Sequence, residues 1–335
     1  MERQLLCTIA SILVLFSGKA FAQEQRIEPP LGIAVEYTNH AASAYIAKSK
    51  GFFKEAGLNL SIYESYATGT ALAAALVRGD IQVAYICLVP AINVFANARV
   101  PIKIVAGTHK YGYGLAVNPQ KIKSIEDLMR PGFRIGSVQV GSAVDVVLHK
   151  MIDKFGLSQA AIEKNIRRMN PAKQLLAAKM GRLDAVFVPE HWATLSETAG
   201  FKMLLTAKDI WPEMQGSVLV VKEDLLIHQP ETVRKLVEVL KRATSWAHEN
   251  PVESAKIMAG KLLQASDQIL PAVMKETTKQ FSISSDIMQR SMQRLEYTTG
   301  IDPVMVQDTI DYLALQSYIK KSFKSEIILD LRFLK

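Results

Sequence analysis

Ala73-Ala74-Ala75-Leu76-Val77-Arg78-Gly79-Asp80-Ile81-Gln82-Val83-Ala84 is the stretch that decides the fold. It opens with a run of strong helix formers, Gly79 supplies the left-handed residue on which a helix can end, and an apolar, β-branched run follows. Helix, glycine stop and strand make up half of a βαβ unit. The same order returns at Leu176-Ala177-Ala178-Lys179-Met180-Gly181-Arg182-Leu183-Asp184-Ala185-Val186-Phe187-Val188-Pro189-Glu190, with Gly181 in the place of Gly79 and Asp184 in that of Asp80. Using the unit twice, far apart in the chain, predicts two α/β cores rather than one.

Outward from these segments, short apolar runs alternate with helix-period stretches from residue 31 onward. Strands are predicted over 31–36, 58–63, 81–86 and 102–106, with helices over 41–50, 70–78 and 90–97 between them. A second block gives strands over 115–117, 134–137 and 185–188 and helices over 143–155 and 172–180. After a strand-like run at 217–221 the pattern turns to long helices over 231–249, 251–263, 267–279, 285–297 and 304–318. Pro230 and Pro251 suit helix starts there, and Asn250 and Gly300 suit stops. The short apolar run 327–331 has no assigned place. Periodicity breaks at 109–114 and 206–216, so the chain is expected to cross between lobes there. The expected division is a leader over 1–22, a first lobe over 27–110, a second lobe over 111–210, and a return to the first lobe over 211–335 that ends in a helical region.

The leader is read from Arg3, the apolar run 5–16, and Ala20 and Ala22 on either side of Phe21, the pattern of a secretory signal cut after Ala22. The run is short of the ~20 apolar residues that a spanning helix needs. It follows Cys7 instead of preceding it, which argues against a lipid-anchored cysteine. A periplasmic protein is therefore expected. Cleavage leaves Cys87 as the single cysteine, so stability must rest on packed cores rather than an internal disulfide. Lys and Arg total 40 against 32 Asp and Glu, a net charge of +8, but the charges are scattered. The one late cluster, Lys320, Lys321 and Lys324, reads as a solvated helix end. Export and scatter together argue against a nucleic-acid partner.

With these units in place the chain resembles the solute-binding proteins of ABC importers in the nitrate, sulfonate, bicarbonate and thiamine-pyrimidine-precursor group. The resemblance runs from Ile33 to Gly260. Its markers are Gly51-Phe52-Phe53-Lys54-Glu55-Ala56-Gly57-Leu58, the two helix–Gly–Asp–strand segments, and the helix from Pro230 through Trp246 to Asn250-Pro251. It implies an α/β, two-lobe type II periplasmic binding protein fold, hinged over one small-molecule solute, with an inner-membrane ABC permease as partner. No cofactor and no catalytic residues are expected, and a monomer is expected.

Ligands of open α/β sheets bind beyond the carboxyl ends of the strands, so the loops after the predicted strands are the candidates. In the first lobe these are Tyr37-Thr38-Asn39-His40, Thr68-Gly69-Thr70 and Cys87-Leu88. N–H groups at a helix start attract anions, and Thr68, Gly69 and Thr70 add hydroxyls and a small residue. An ordinary N-cap by either threonine explains the same residues. In the second lobe Gly141 lets backbone approach a ligand and Ser142 adds a hydroxyl, with an N-cap again as the alternative. Glu190, His191 and Trp192 would supply a planar wall and polar handles, or else core packing, and Tyr113 joins Tyr37 as a pocket aromatic. Cys87 is read as a small hydrophobe beside the pocket. Two helix starts facing one cleft favour a small organic anion such as a sulfonate. The aromatics, and the lack of arginine in these loops, favour the second reading, a planar heterocycle such as a pyrimidine precursor.

Enzyme chemistry finds little support in the sequence. Ser142 lacks the glycine spacing of a nucleophile elbow, and Gly112-Tyr113-Gly114 lacks the third glycine of a dinucleotide loop. The histidines at 40, 109, 149, 191, 228 and 248 stand singly, so no metal-ligand spacing is present and no metal site is expected. The rival is a pyrimidine-precursor synthase-like enzyme on the same fold. The leader and the lack of a cysteine-rich stretch both count against it.

Overall fold

The computed structural model describes residues 31–269 and 283–335; the leader and most of the helix expected over 267–279 lie outside them. The strands in chain order are β1 (Leu31–Glu36), β2 (Leu60–Tyr66), β3 (Val83–Cys87), β4 (Ile102–Tyr111), β5 (Tyr113–Val117) and β6 (Ile135–Ser137), followed by β7 (Ile166–Arg168), β8 (Ala185–Pro189), β9 (Lys202–Thr206), β10 (Gln215–Lys222) and β11 (Leu295–Tyr297). They form two sheets, one in the order β11-β4-β10-β3-β1-β2 and the other in the order β7-β6-β8-β5-β9. Each sheet with its helices is called a lobe below. In the first sheet β1 pairs in parallel with β2 and β3, while β10 runs antiparallel between β3 and β4. The second is likewise mixed: β6 lies parallel to β7 and β8, and β5 antiparallel to β8 and β9.

Strands β1, β3 and β5 are buried along their whole length. That is why they read as continuous apolar runs rather than alternating ones: helices cover both faces of such sheets. The decisive helix spans Gly69–Arg78 and ends on Gly79, whose φ of +99° is the left-handed conformation expected of it. Leu72, Ala75 and Leu76 recur at i, i+3 and i+4 and are fully buried. Each leucine contributes roughly 2 kcal/mol by leaving water. The C-terminal region is helical, as expected, with helices at Pro230–Glu249, Pro251–Ile269, Ser285–Met292 and Pro303–Leu315. The Pro230–Glu249 helix packs on the Ala42–Lys50 helix, burying Val233, Leu236, Val237 and Leu240 as one stripe. Among the described residues no helix is long and apolar enough to cross a membrane.

Several elements depart from expectation. Strand β4 continues to Tyr111, because β10 and β11 pair with its far end, so the crossing to the second sheet is Gly112 alone. Its φ of +97° turns the chain. The helix predicted over 285–297 stops at Met292, and Leu295-Glu296-Tyr297 becomes an edge strand with its two apolar residues buried against β4. The run 327–331 is neither a helix nor a strand: a 3-10 turn at Ser325–Ile327 precedes a single parallel bridge from Leu329 to Ile104. The helices Gln159–Asn165 and Glu190–Glu197 and the strands β7 and β9 went unpredicted.

Candidate functional site

Residues at or just beyond the carboxyl ends of β1, β2, β3, β6 and β8 line a cavity of about 40 Å³ between the two sheets. The first lobe contributes Glu36, Thr38, Thr68, Gly69, Thr70 and Cys87, and the second Tyr113, Ser142, Ala143 and Pro189. Ordinary ligand pockets run to ~300–1,000 Å³, so the lobes are drawn close together here. Both expected caps are present: the Thr68 hydroxyl accepts from Ala71 N–H at 3.2 Å, and Ser142 Oγ accepts from Asp145 N–H at 3.3 Å. The second helix start is already served by a carboxylate of its own. Asp145 is fully buried, accepts from Gly141 N–H and from the Tyr318 hydroxyl, and pairs with Arg168 at 2.6 Å.

At the cavity wall, Glu36 is the last residue of an otherwise apolar strand and is 2% exposed. Its Oε1 accepts the backbone N–H of Cys87 at 2.8 Å, and the Cys87 thiol donates to Oε2 at 2.9 Å. The hydroxyls of Tyr113 and Ser217 donate to Cys87 Sγ at 2.9 and 3.6 Å. His40 Nδ1 lies 3.5 Å from Sγ and 3.7 Å from Glu36 Oε2, while Nε2 bonds the Gly112 carbonyl at 2.6 Å. A carbonyl only accepts, so Nε2 carries a proton there, and in a neutral ring Nδ1 presents its lone pair to Glu36 and Cys87. Burial, with the Glu36 carboxylate adding to it, pushes the Cys87 thiol well above its ordinary range. Cys87 therefore corrects the expectation of a small hydrophobe, since its sulfur sits in a polar network. Gly69 is held to glycine by the same cluster, because a Cβ there would overlap Glu36 Oε1.

The other candidates lie beside the cavity rather than on its wall. Tyr37 packs on His191 and Trp192 with ring centroids 6.3 and 6.0 Å apart, bringing the two lobes together through aromatic contact. Asn39 donates to Ser291 Oγ, its carbonyl accepts from the Tyr297 hydroxyl, and Leu88 is core. The Gly141 carbonyl accepts from Asn93 Nδ2 at 3.2 Å, again between lobes. Glu190 accepts from Thr194 and pairs at 3.2 Å with Arg294 of the helical region, which also holds Glu197 at 2.8 Å. Burial pushes the Glu190 pKa up to about 7. On the opposite side, the Tyr318 and Tyr312 hydroxyls donate to Asp145 and Asp153, each at 2.6 Å. Both ring nitrogens of His191, Trp192 Nε1 and Asn39 Oδ1 are buried without a hydrogen-bond partner among the described residues. Burial also holds the His191 pKa well below its usual value.

Residue patterns missed Glu36, Val138, Val144 and Pro171, which also line the cavity. A carboxylate closing an apolar strand was the available signal for Glu36; the others carry no chemistry that marks them in sequence.

Residues 26–262 of the chain match the NMT1-like family. A Brucella abortus protein named as a binding protein is 24% identical over 263 residues, covering 77% of this chain and 78% of that protein. In fold, the chain is similar to the ligand-binding component of an ABC-type import system from Staphylococcus aureus with zinc bound, at a TM-score of 0.73 and 18% identity, covering 91% of this chain and 98% of that one. It is also similar to the alkanesulfonate-binding protein of Xanthomonas axonopodis pv. citri bound to MOPS, at a TM-score of 0.72 and 16% identity, covering 90% and 98%. The fold is thus the periplasmic binding protein fold that the resemblance implied. A match over most of its length, on a fold of two mixed sheets with the candidate cavity between them, makes the chain a member of the NMT1-like family.

Proposed function

We propose that this chain is the exported solute-binding component of an ABC import system, and that it closes its two lobes around one small solute. The observation that carries this reading is a cavity walled by strand ends and helix starts of both sheets. Polar side chains on the wall from both lobes, Glu36, Thr70 and Ser142 among them, support a polar occupant. The cavity as it stands is far below the ~300–1,000 Å³ of ordinary ligand pockets, so capture requires the lobes to separate and close again. Contacts that form only when both lobes meet the solute would then shift the population toward the closed form. The Arg294–Glu190 pair and the Tyr318–Asp145 bond would hold that form.

The cavity's chemistry bears on the solute class. A sulfonate is the anion suggested by the two helix starts and by the ligand of the Xanthomonas protein. Against it, the wall carries the Glu36 carboxylate and no lysine or arginine, and Asp145 already serves the second helix start. A planar heterocycle with N–H donors, such as an aminopyrimidine, suits the wall better: it would donate to Glu36 and lie against Tyr113 and the prolines.

A thermal-shift panel of aminopyrimidines, other amino-heterocycles, alkanesulfonates, nitrate and carboxylates tests this. A solute at 100 times its dissociation constant adds about 2.7 kcal/mol of stability. A heterocycle that raises the melting temperature and is recovered unchanged is the expected result. A sulfonate as the sole hit would overturn the solute class, and consumption of the hit would favour the synthase-like reading.

A further inference from the structure

Glu36, His40 and Cys87 are separated along the chain, yet one oxygen, one nitrogen and one sulfur from them lie within 4.8 Å of one another, all buried. We infer that these three side chains form a binding site for a borderline-soft divalent cation of the Zn²⁺ type, with its fourth position open to the interlobe cavity.

Four observations converge on this inference. The first is spacing. Tetrahedral zinc bonds of about 2.0–2.3 Å place ligand atoms about 3.3–3.8 Å apart. The observed Sγ···Nδ1 and Nδ1···Oε2 separations are 3.5 and 3.7 Å. The third edge, Sγ to Oε2, is 2.9 Å because the thiol proton bridges it, and it must widen when that proton leaves.

The second observation is charge. Glu36 Oε2, Cys87 Sγ and His40 Nδ1 converge, all buried, and two further hydroxyls, Tyr113 and Ser217, donate to the sulfur. Among the described residues, His40 is the only basic side chain within ion-pairing distance of Glu36. Buried charges are ordinarily paired or coordinate metals, and a divalent cation with one carboxylate and one thiolate closes the charge to zero.

The third observation is the orientation of the ligands. Histidines that ligate metals characteristically donate their other ring N–H to a carbonyl or carboxylate, and His40 Nε2 bonds the Gly112 carbonyl at 2.6 Å. Glu36 is fixed in the same way through its second oxygen, which accepts from Cys87 N–H.

The fourth is the donor set and the open side. Imidazole and thiolate suit zinc among the available cations, and three protein ligands plus one open position is the arrangement of zinc sites that accept an outside molecule. Glu36, Cys87 and Tyr113 all line the cavity, so the fourth position opens into it. Binding is written as Cys–SH + M²⁺ → Cys–S–M⁺ + H⁺, one proton leaving for each cation bound. The site shares Glu36 and Tyr113 with the solute wall proposed above, and it is tested with the metal alone, with no solute present.

The experiment is a Co²⁺ titration of the purified exported protein with no solute present, followed in the near ultraviolet and visible, with Zn²⁺ as competitor. A sulfur-to-cobalt charge-transfer band saturating at one equivalent, displaced by Zn²⁺ and accompanied by release of one proton, is expected. Cys87→Ser eliminates the band, and Tyr113→Phe, which removes a hydroxyl from the sulfur, weakens binding by about 10- to 100-fold. Thermal melts without metal establish that both variants fold. The proposal is overturned if the unaltered protein gives no charge-transfer band at stoichiometric Co²⁺. It is equally overturned by a visible spectrum without a thiolate band, or by a band that survives in Cys87→Ser, since both place the metal elsewhere. Each of these results leaves the solute reading untouched.

Discussion

Glu190→Gln tests how the lobes are held together. The Glu190 carboxylate is 1% exposed, and burial raises its pKa from 4.5 to about 7, against the opposing pull of Thr194 and Arg294. The ionisable groups around it are Arg294 and Glu197, and Tyr297 feels its charge. An acid whose folded pKa lies above its unfolded value keeps its proton longer in the folded state. Its contribution is therefore present at low pH and is lost as pH rises from about 4.5 to about 7. A shift of that size corresponds to about 3 kcal/mol across the window. In Glu190→Gln the titration is gone. Thermal unfolding of both proteins from pH 4 to pH 8 should show the melting temperature of the unaltered protein, relative to the variant, falling by several degrees across the window and levelling above it. A flat difference, or one that rises with pH, would refute the reasoning. It would mean that Arg294 holds Glu190 ionised and that burial does not dominate.

Gly112→Ala should destabilise the protein by about 2 kcal/mol in thermal unfolding, because φ is +97° there and a Cβ would press on the His40 ring. Tyr318→Phe removes the hydroxyl from Asp145 Oδ2 and His149 and should lower stability by about 1–2 kcal/mol. Small-angle scattering should then show a more open average shape, whereas unchanged dimensions would mean that this bond does not hold the lobes. Leu76→Ala, in a fully buried position, should cost about 3 kcal/mol in the same unfolding assay. N-terminal sequencing of the exported protein is expected to begin at Gln23.

The βαβ segments were legible because each combined a propensity run, a glycine that had to be left-handed, and a second run of different period. Gly79 and Gly181 both adopt positive φ. The edges were not legible. Strand β11 is three residues long, and only pairing with β4 distinguishes it from a continuing helix. Strands β7 and β9 are partly exposed edges whose charged ends blur their alternation. In the site, caps such as Thr68 and Ser142 could be read locally, since a cap is a short-range device. The cluster of Glu36, His40 and Cys87 could not, because β1, the turn after it and β3 are brought together only by the sheet order. Glu190, His191 and Trp192 stand where a strand ends, but the Glu190–Glu197 helix turns them into the lobe contact, and a strand-end rule cannot tell wall from contact.

The central claim is capture of one solute between two lobes. The most direct test is the ligand-induced melting shift of the unaltered protein compared with variants obstructed from each side of the cavity. Thr70→Trp fills it from the first lobe and Ala143→Leu from the second, and both residues line it. The account predicts that a solute stabilising the unaltered protein loses its effect in both variants, while their melting without solute stays close to normal. A shift retained in full by either variant would contradict it, since the solute would then be held by one lobe alone or at another site.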